Sequence, residues 1–175
     1  MKNNLKLMVI LTALVSLWFL TTAAVSPVPE TEVPVASDLS AIAKQASSKG
    51  LPILIVFSAE HCPYCELLEA EIIKPMILSG DYKDQVLIYK IMTDDSRDLR
   101  DFDGGSINAD ILTQRYGVYV TPTMLFVDGR GQELSERILG INTVEMFGGL
   151  VDQAIDTAKQ RLAGTDKQLV KNSRP

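Results

Sequence analysis

The apolar residues of this chain fall into short unbroken runs and longer runs at the helical period, separated by glycine, proline and acidic residues. Pro52 to Ser58 (PILIVFS) is short, apolar and rich in branched side chains, with Gly50 and Pro52 at its start, and predicts a buried strand. Glu66 to Lys74 favours helix, with apolar positions 67, 68, 72 and 73 on one face. Pro75 is expected to kink or end that helix, because it cannot donate to the preceding turn. Upstream, Ser37 or Asp38 caps a short helix ending near Gly50. Val86 to Thr93 (VLIYKIMT) alternates as a second strand, and the polar stretch Asp94 to Ser106 predicts a loop. Ala109 to Tyr116 reads as a helix with Asn108 as its cap and Gly117 as its stop. Thr123 to Val127 and Gln132 to Leu139, joined by Asp128, Gly129, Arg130 and Gly131, read as a hairpin. Asn142 with Glu145 three residues on starts a last helix reaching about Leu162, locally weakened by Gly148 and Gly149. Gly164 to Pro175 reads as a frayed tail.

The chain start has a different character. Lys2 and Lys6 precede an apolar stretch from Leu7 to Leu20, and Thr22, Ala23 and Ala24 supply small residues for cleavage. Residues 1–24 therefore read as a signal peptide. With Val25 included the stretch is nearly long enough to span a bilayer, so an uncleaved membrane anchor stays open. Residues 25–36, with Pro27, Pro29, Pro34, Glu30 and Glu32, read as an extended proline-rich linker outside the fold. That leaves one folded domain, 37–163, expected to be exported.

The formal net charge of −5 becomes −7 without the leader, since 15 basic residues then face 22 acidic ones. This argues against nucleic acid and anionic lipid as partners, although mild acidity also simply keeps a domain dispersed.

Cys62 and Cys65 are the only two cysteines and stand as Cys62, Pro63, Tyr64, Cys65 between the first predicted strand and its helix. Cys62 lies at the helix N-terminus, where unpaired amides and the positive dipole end stabilise a thiolate and make it the nucleophile. Pro63 suits the first helical position. Cys65, one turn further in, is less exposed and resolves the mixed disulfide. Structural zinc needs four ligands, and the chain offers two thiols and a single histidine, His61. Covalent haem needs histidine after Cys65, where Glu66 stands. A structural disulfide closing so small a loop would stabilise little. An exported domain whose only cysteines form this pair is better explained by catalysis than by a staple.

The order βαβαββα with this motif at the first strand-to-helix junction resembles the thioredoxin superfamily over roughly Asp38 to Leu162. The residues that carry the resemblance are Val56 to Cys65 (VFSAEHCPYC), Arg115 to Thr123 (RYGVYVTPT) and the hairpin that follows. Among relatives the chain is most similar to small exported bacterial thioredoxin-like proteins, including the SoxW type, with which it shares the insertion Asp101 to Gly105. The resemblance implies an α/β thioredoxin fold, a three-layer arrangement of a central mixed β-sheet flanked by helices, in the periplasm. It also implies a cis peptide bond before Pro122, against the cysteine pair, with Thr121 touching the sulfurs and its backbone free to pair with an extended substrate. An ordinary trans proline before a strand is the alternative.

The chain also departs from that pattern. Val56 stands where cytoplasmic thioredoxins carry a buried acid, and Ser58 and His61 where they carry tryptophans. Lys90 matches the family's lysine near that acid, and Glu60 could replace the lost base through water or be a solvated surface residue. His61 either lowers the Cys62 pKa as an imidazolium, making the pair more oxidising, or merely covers the motif.

The resemblance implies a thiol:disulfide oxidoreductase without cofactor or metal, acting as a monomer on protein disulfides. Exported isomerases carry an extra dimerisation domain and exported oxidases a helical insertion, and neither fits here. A reductase recharged by a membrane thiol electron donor is the first expectation, with tuning by Pro63, Tyr64, Thr121, Pro122 and His61. Oxidase or isomerase activity remains an alternative, because Pro63 and Tyr64 occur between the cysteines of several relatives. A copper-binding or thiol-guarding chaperone is a second, although Met76, Met92, Met124 and Met146 are spaced as core residues.

Overall fold

A computed structural model describes residues 31–172 of the chain. The leader 1–24 and the first part of the linker lie outside them.

Helix α1 spans Leu39–Lys49, with the Asp38 side chain accepting the Ala41 N–H and Gly50 closing it at φ 64°. Strand β1, Ile53–Ser58, is buried at every position. Helix α2 begins at the cysteines and spans Pro63–Leu68. It passes through a π-helical segment, Glu69–Ile73, into α3, Lys74–Ser79. Pro75 therefore does not end the helix. The wider turn just before it accommodates its ring and its missing N–H.

Strand β2, Leu87–Met92, follows. The polar stretch expected as a loop instead holds a two-stranded hairpin, β3 (Asp98–Arg100) and β4 (Ser106–Asn108). Helix α4 is Ala109–Arg115, capped by Asn108. Strand β5 is Thr123–Val127 and β6 only Ile138–Leu139, although a bridge from Val127 to Glu133 extends the hairpin. Helix α5 runs from Val144 to Asn172. Gly164 does not stop it, since a glycine costs only about 1 kcal/mol in a helix and no proline stands between Gly164 and Pro175.

The main sheet has the order β2-β1-β5-β6, with β1 and β2 parallel and the remaining pairs antiparallel. Side chains alternate across β1, so both faces are covered. Ile53, Ile55 and Phe57 pack with Leu39, Ile42 and Leu112 of α1 and α4. Leu54 and Val56 pack with Leu68, Ile73, Phe147 and Ile155 of the opposite helical layer. The three-layer α/β arrangement is the one the resemblance implies.

The linker needs one correction. Residues 33–36 belong to the fold: Val33 and Ala36 are buried, Lys90 N–H donates to Pro34 O, and Ala36 N–H donates to Lys90 O. Pro34 fits because its carbonyl is used and it lies on a sheet edge where no N–H is required.

Candidate active site

Strand β1 ends at Ser58, and a three-residue turn, Ala59, Glu60 and His61, leads to Cys62. Cys62 is the N-cap of α2 in extended backbone (φ −100°, ψ 100°), and Pro63 occupies the first helical turn. The Cys62 carbonyl accepts the N–H groups of Cys65 and Glu66 at 3.0 and 3.1 Å. The Cys65 N–H also points at Cys62 Sγ, 3.2 Å away. An amide of the helix's first turn thus faces the sulfur that becomes an anion on reduction, the geometry that favours a thiolate.

Cys62 and Cys65 form a disulfide. Cys62 is half-buried, whereas Cys65 is 3% exposed. An incoming sulfur reaches the first and not the second.

The loop before β5 closes the other side. Thr121 O lies 3.7 Å and Thr121 Oγ1 3.5 Å from Cys62 Sγ. In the disulfide that sulfur has no proton to give. Once reduced, it accepts from the Thr121 hydroxyl as a thiolate or donates to the carbonyl as a thiol. The Thr121–Pro122 peptide bond is cis, as expected from the resemblance. Thr123 Oγ1 donates to Val120 O at 2.7 Å, and Gly140 N–H donates to Pro122 O at 2.8 Å, so the loop is held from both sides.

The structure therefore brings Cys62, Cys65, Thr121 and Pro122 together, with Pro63 and Tyr64 exposed on the first turn of α2. His61 is exposed beside them in the left-handed region (φ 53°). The Glu60 side chain is exposed, while its N–H donates to Asp94 Oδ2 at 2.7 Å. Lys90 pairs with Glu69, at 2.9 and 3.1 Å to the two carboxylate oxygens. Of the methionines, Met76 and Met124 are core residues and Met146 is exposed.

Two acids escaped the sequence reading. Glu69 stands four residues after Cys65, a spacing that puts both on one helix face. Asp94 is the second residue beyond β2, which the register of β1 and β2 carries to the cysteine end of the sheet. Next to it the Arg97 guanidinium, hydrogen-bonded to Asp95, holds the Asp95 carboxyl below the usual carboxylate range.

Residues 39–155 match the thioredoxin-like domain family, and the chain belongs to it. It is 23% identical over 125 residues to the thiol:disulfide interchange protein DsbD of Ralstonia nicotianae, a match covering 71% of this chain and 19% of that protein. The chain thus spans about a fifth of that curated relative's length. Among solved structures it is similar to the thioredoxin Mala s 13 of Malassezia sympodialis, at 21% identity and a TM-score of 0.49, covering 78% of this chain and 98% of that one. It is also similar to Trxlp of Edwardsiella tarda, at 20% identity and a TM-score of 0.48, covering 68% and 97%. Family and disulfide together define a candidate site for thiol–disulfide exchange.

Proposed function

We propose that the chain is an exported thiol:disulfide oxidoreductase that reduces disulfides of protein substrates in the periplasm, with Cys62 as nucleophile and Cys65 as resolving thiol. The observation that carries this reading is the disulfide at the N-terminus of α2, its outer sulfur 3.5 Å from Thr121 beside the cis proline. The similarity to a thiol:disulfide interchange protein supports the reaction class. The basic and apolar chain start supports export, as leader or as tether. Among the described residues no helix is long and apolar enough to cross a membrane, and the candidate anchor lies outside them.

In the reduced protein the Cys62 thiolate attacks one sulfur of a substrate disulfide. A bond forms between Cys62 and that sulfur, and the other substrate sulfur leaves as a thiolate. Cys65 gives its proton to water and attacks Cys62 Sγ, which restores the intramolecular disulfide and releases the second substrate thiolate. Two electrons have passed to the substrate, and a membrane dithiol donor restores the pair by the same exchange in reverse. Thr121 and Pro122 flank the substrate segment, while Pro63, Tyr64 and His61 tune the pair. One protomer contains every group named, so the reading is of a monomer.

Reduction of insulin by the purified domain with dithiothreitol as electron source tests this directly, with precipitation of the free B chain as the expected result. A Cys65→Ser variant should accumulate covalent substrate complexes in the cell and identify the clients. No acceleration over dithiothreitol alone refutes the reductase reading, and complexes trapped by Cys62→Ser instead reverse the two roles.

A further inference from the structure

His61 is the one residue other than glycine with positive φ among the described residues, and it immediately precedes Cys62. An L residue in that region is disfavoured by its own Cβ, so neighbours must hold the turn from outside. Two of the bonds that do so come from the end of β2. Thr93 N–H donates to Ser58 O at 2.8 Å and closes β1, while the Asp94 carboxylate takes the Glu60 N–H at 2.7 Å. Only the second is charged, and it lies one residue from His61.

The charge has a further consequence. Asp94 takes part in none of the ion pairs found among the described residues, whereas the adjacent Asp95 is matched by Arg97. The other charged or titratable groups around the turn are Glu60 and His61 within it and Glu66 in the first turn of α2, and the loop Tyr119 to Pro122 brings none that is charged at neutral pH. Asp94, Glu60 and Glu66 thus put three carboxylates around the turn, and their charge acts against the helix dipole.

We propose that Asp94 is a positioning residue for the active-site turn: its carboxylate fixes Glu60 and His61 so that Cys62 enters the helix correctly, and its charge disfavours the Cys62 thiolate. Disfavouring the thiolate destabilises the reduced form relative to the disulfide and biases the pair toward giving electrons away. The direction of that bias rests on the reductase reading, while the geometry does not.

The test uses the full chain, reduced, with the rate of iodoacetamide alkylation of Cys62 followed against pH and insulin reduction measured in parallel. Asp94→Asn keeps an oxygen acceptor for the Glu60 N–H and removes the charge. Its alkylation midpoint should fall by a few tenths of a pH unit, the Coulomb effect of one nearby charge screened by water. Its equilibrium with glutathione should move toward the dithiol. Asp94→Ala removes the bond as well, and its insulin turnover should drop about tenfold below that of the Asn variant as the nucleophile loses its placement. Adding His61→Gly, which adopts the left-handed turn unaided, should restore most of that loss.

An Asn variant whose pH profile superimposes on the parent's overturns the proposal, as does an Ala variant that turns over insulin as fast as the Asn variant. If the parent reduces no insulin, the reductase reading fails on its own, and the alkylation profiles still decide whether Asp94 sets the thiolate.

Discussion

Lys90 shows how one side chain changes meaning between sequence and structure. Its match to the family's lysine suggested a charge beside the position of the missing acid. In the fold it pairs with Val56 across β1 and β2, so both side chains leave the same sheet face, and there it meets Glu69 from the π segment. The position of the missing acid is filled by valine, and a carboxylate arrives from the helix instead. Both charges are mostly shielded, with side chains 20% and 15% exposed. Breaking such a pair from one side leaves a poorly solvated charge, which costs 3–5 kcal/mol when fully buried and is reduced here by residual water contact. Lys90→Met is therefore expected to lower the unfolding free energy by about 2 kcal/mol. The double variant Lys90→Met with Glu69→Leu should recover most of that loss. Urea unfolding of the parent, both single variants and the double variant measures it, and additive losses in the double variant would mean that the two groups do not depend on each other.

At the level of elements, what could be read locally was read, and what depended on distant partners was not. The caps of α1 and α4, the runs of β1, β2 and β5, and the cysteine pair at a strand-to-helix junction all announce themselves within a few residues. Thr121 came from the family resemblance, and its contact with Cys62 spans 59 positions. Strands β3 and β4 have three residues each inside an acidic stretch, too short for any period to show. Residues 33–36 were hidden more thoroughly, because the three prolines and two acids of the segment 25–36 give it the composition of a tether while the hydrogen bonds of Pro34 and Ala36 go to Lys90, more than 50 positions away. Their role is to cover the free edge of β2 and to bury Val33, which is 2% exposed. Val33→Ala should cost about 2 kcal/mol, the transfer of two methyl groups plus a small cavity. Deleting residues 1–36 should cost more, and should bare the β2 edge as a template for another chain. Sedimentation over a range of concentrations is expected to show self-association for the deletion and not for Val33→Ala. Equal behaviour of the two would mean that burial of Val33, and not edge protection, is what the segment supplies.

For the molecule as a whole, two tyrosines join segments that are not consecutive in the chain. Tyr116, at the end of α4, packs its ring edge-on against Phe57 of β1 with centroids 5.9 Å apart, and its hydroxyl donates to Gly131 O at 2.8 Å in the turn after β5. Gly131 has φ +76°, and a Cβ there would stand 2.6 Å from the Tyr116 hydroxyl, so the turn admits glycine alone. Tyr82, in the connection between α3 and β2, donates to Asp152 Oδ1 of α5 at 2.7 Å. Burial pushes the Tyr116 hydroxyl up to about 12, and the hydrogen bond to Asp152, followed by burial, pushes Tyr82 up to about 12 from 10.0. Both shifts favour the neutral phenol in the folded state. Their contribution is fully present below pH 10.0, where the unfolded chain also keeps its phenol protons, and is lost as the pH rises toward 12. Both rings are half-buried, but the shift at Tyr82 rests first on an exposed hydrogen bond and that at Tyr116 on burial, so more of the effect belongs to Tyr116. With the disulfide intact, so that no thiol titrates, the thermal midpoint of the parent is expected to fall across that window. Tyr116→Phe should begin lower, having lost its bond to Gly131, and fall less steeply. Tyr82→Phe should flatten the curve only slightly. Ultraviolet titration supplies the independent check, with Tyr82 and Tyr116 ionising at about 12. A Tyr116→Phe curve parallel to the parent's would remove Tyr116 as the source of the alkaline loss and as the tie between α4 and the sheet.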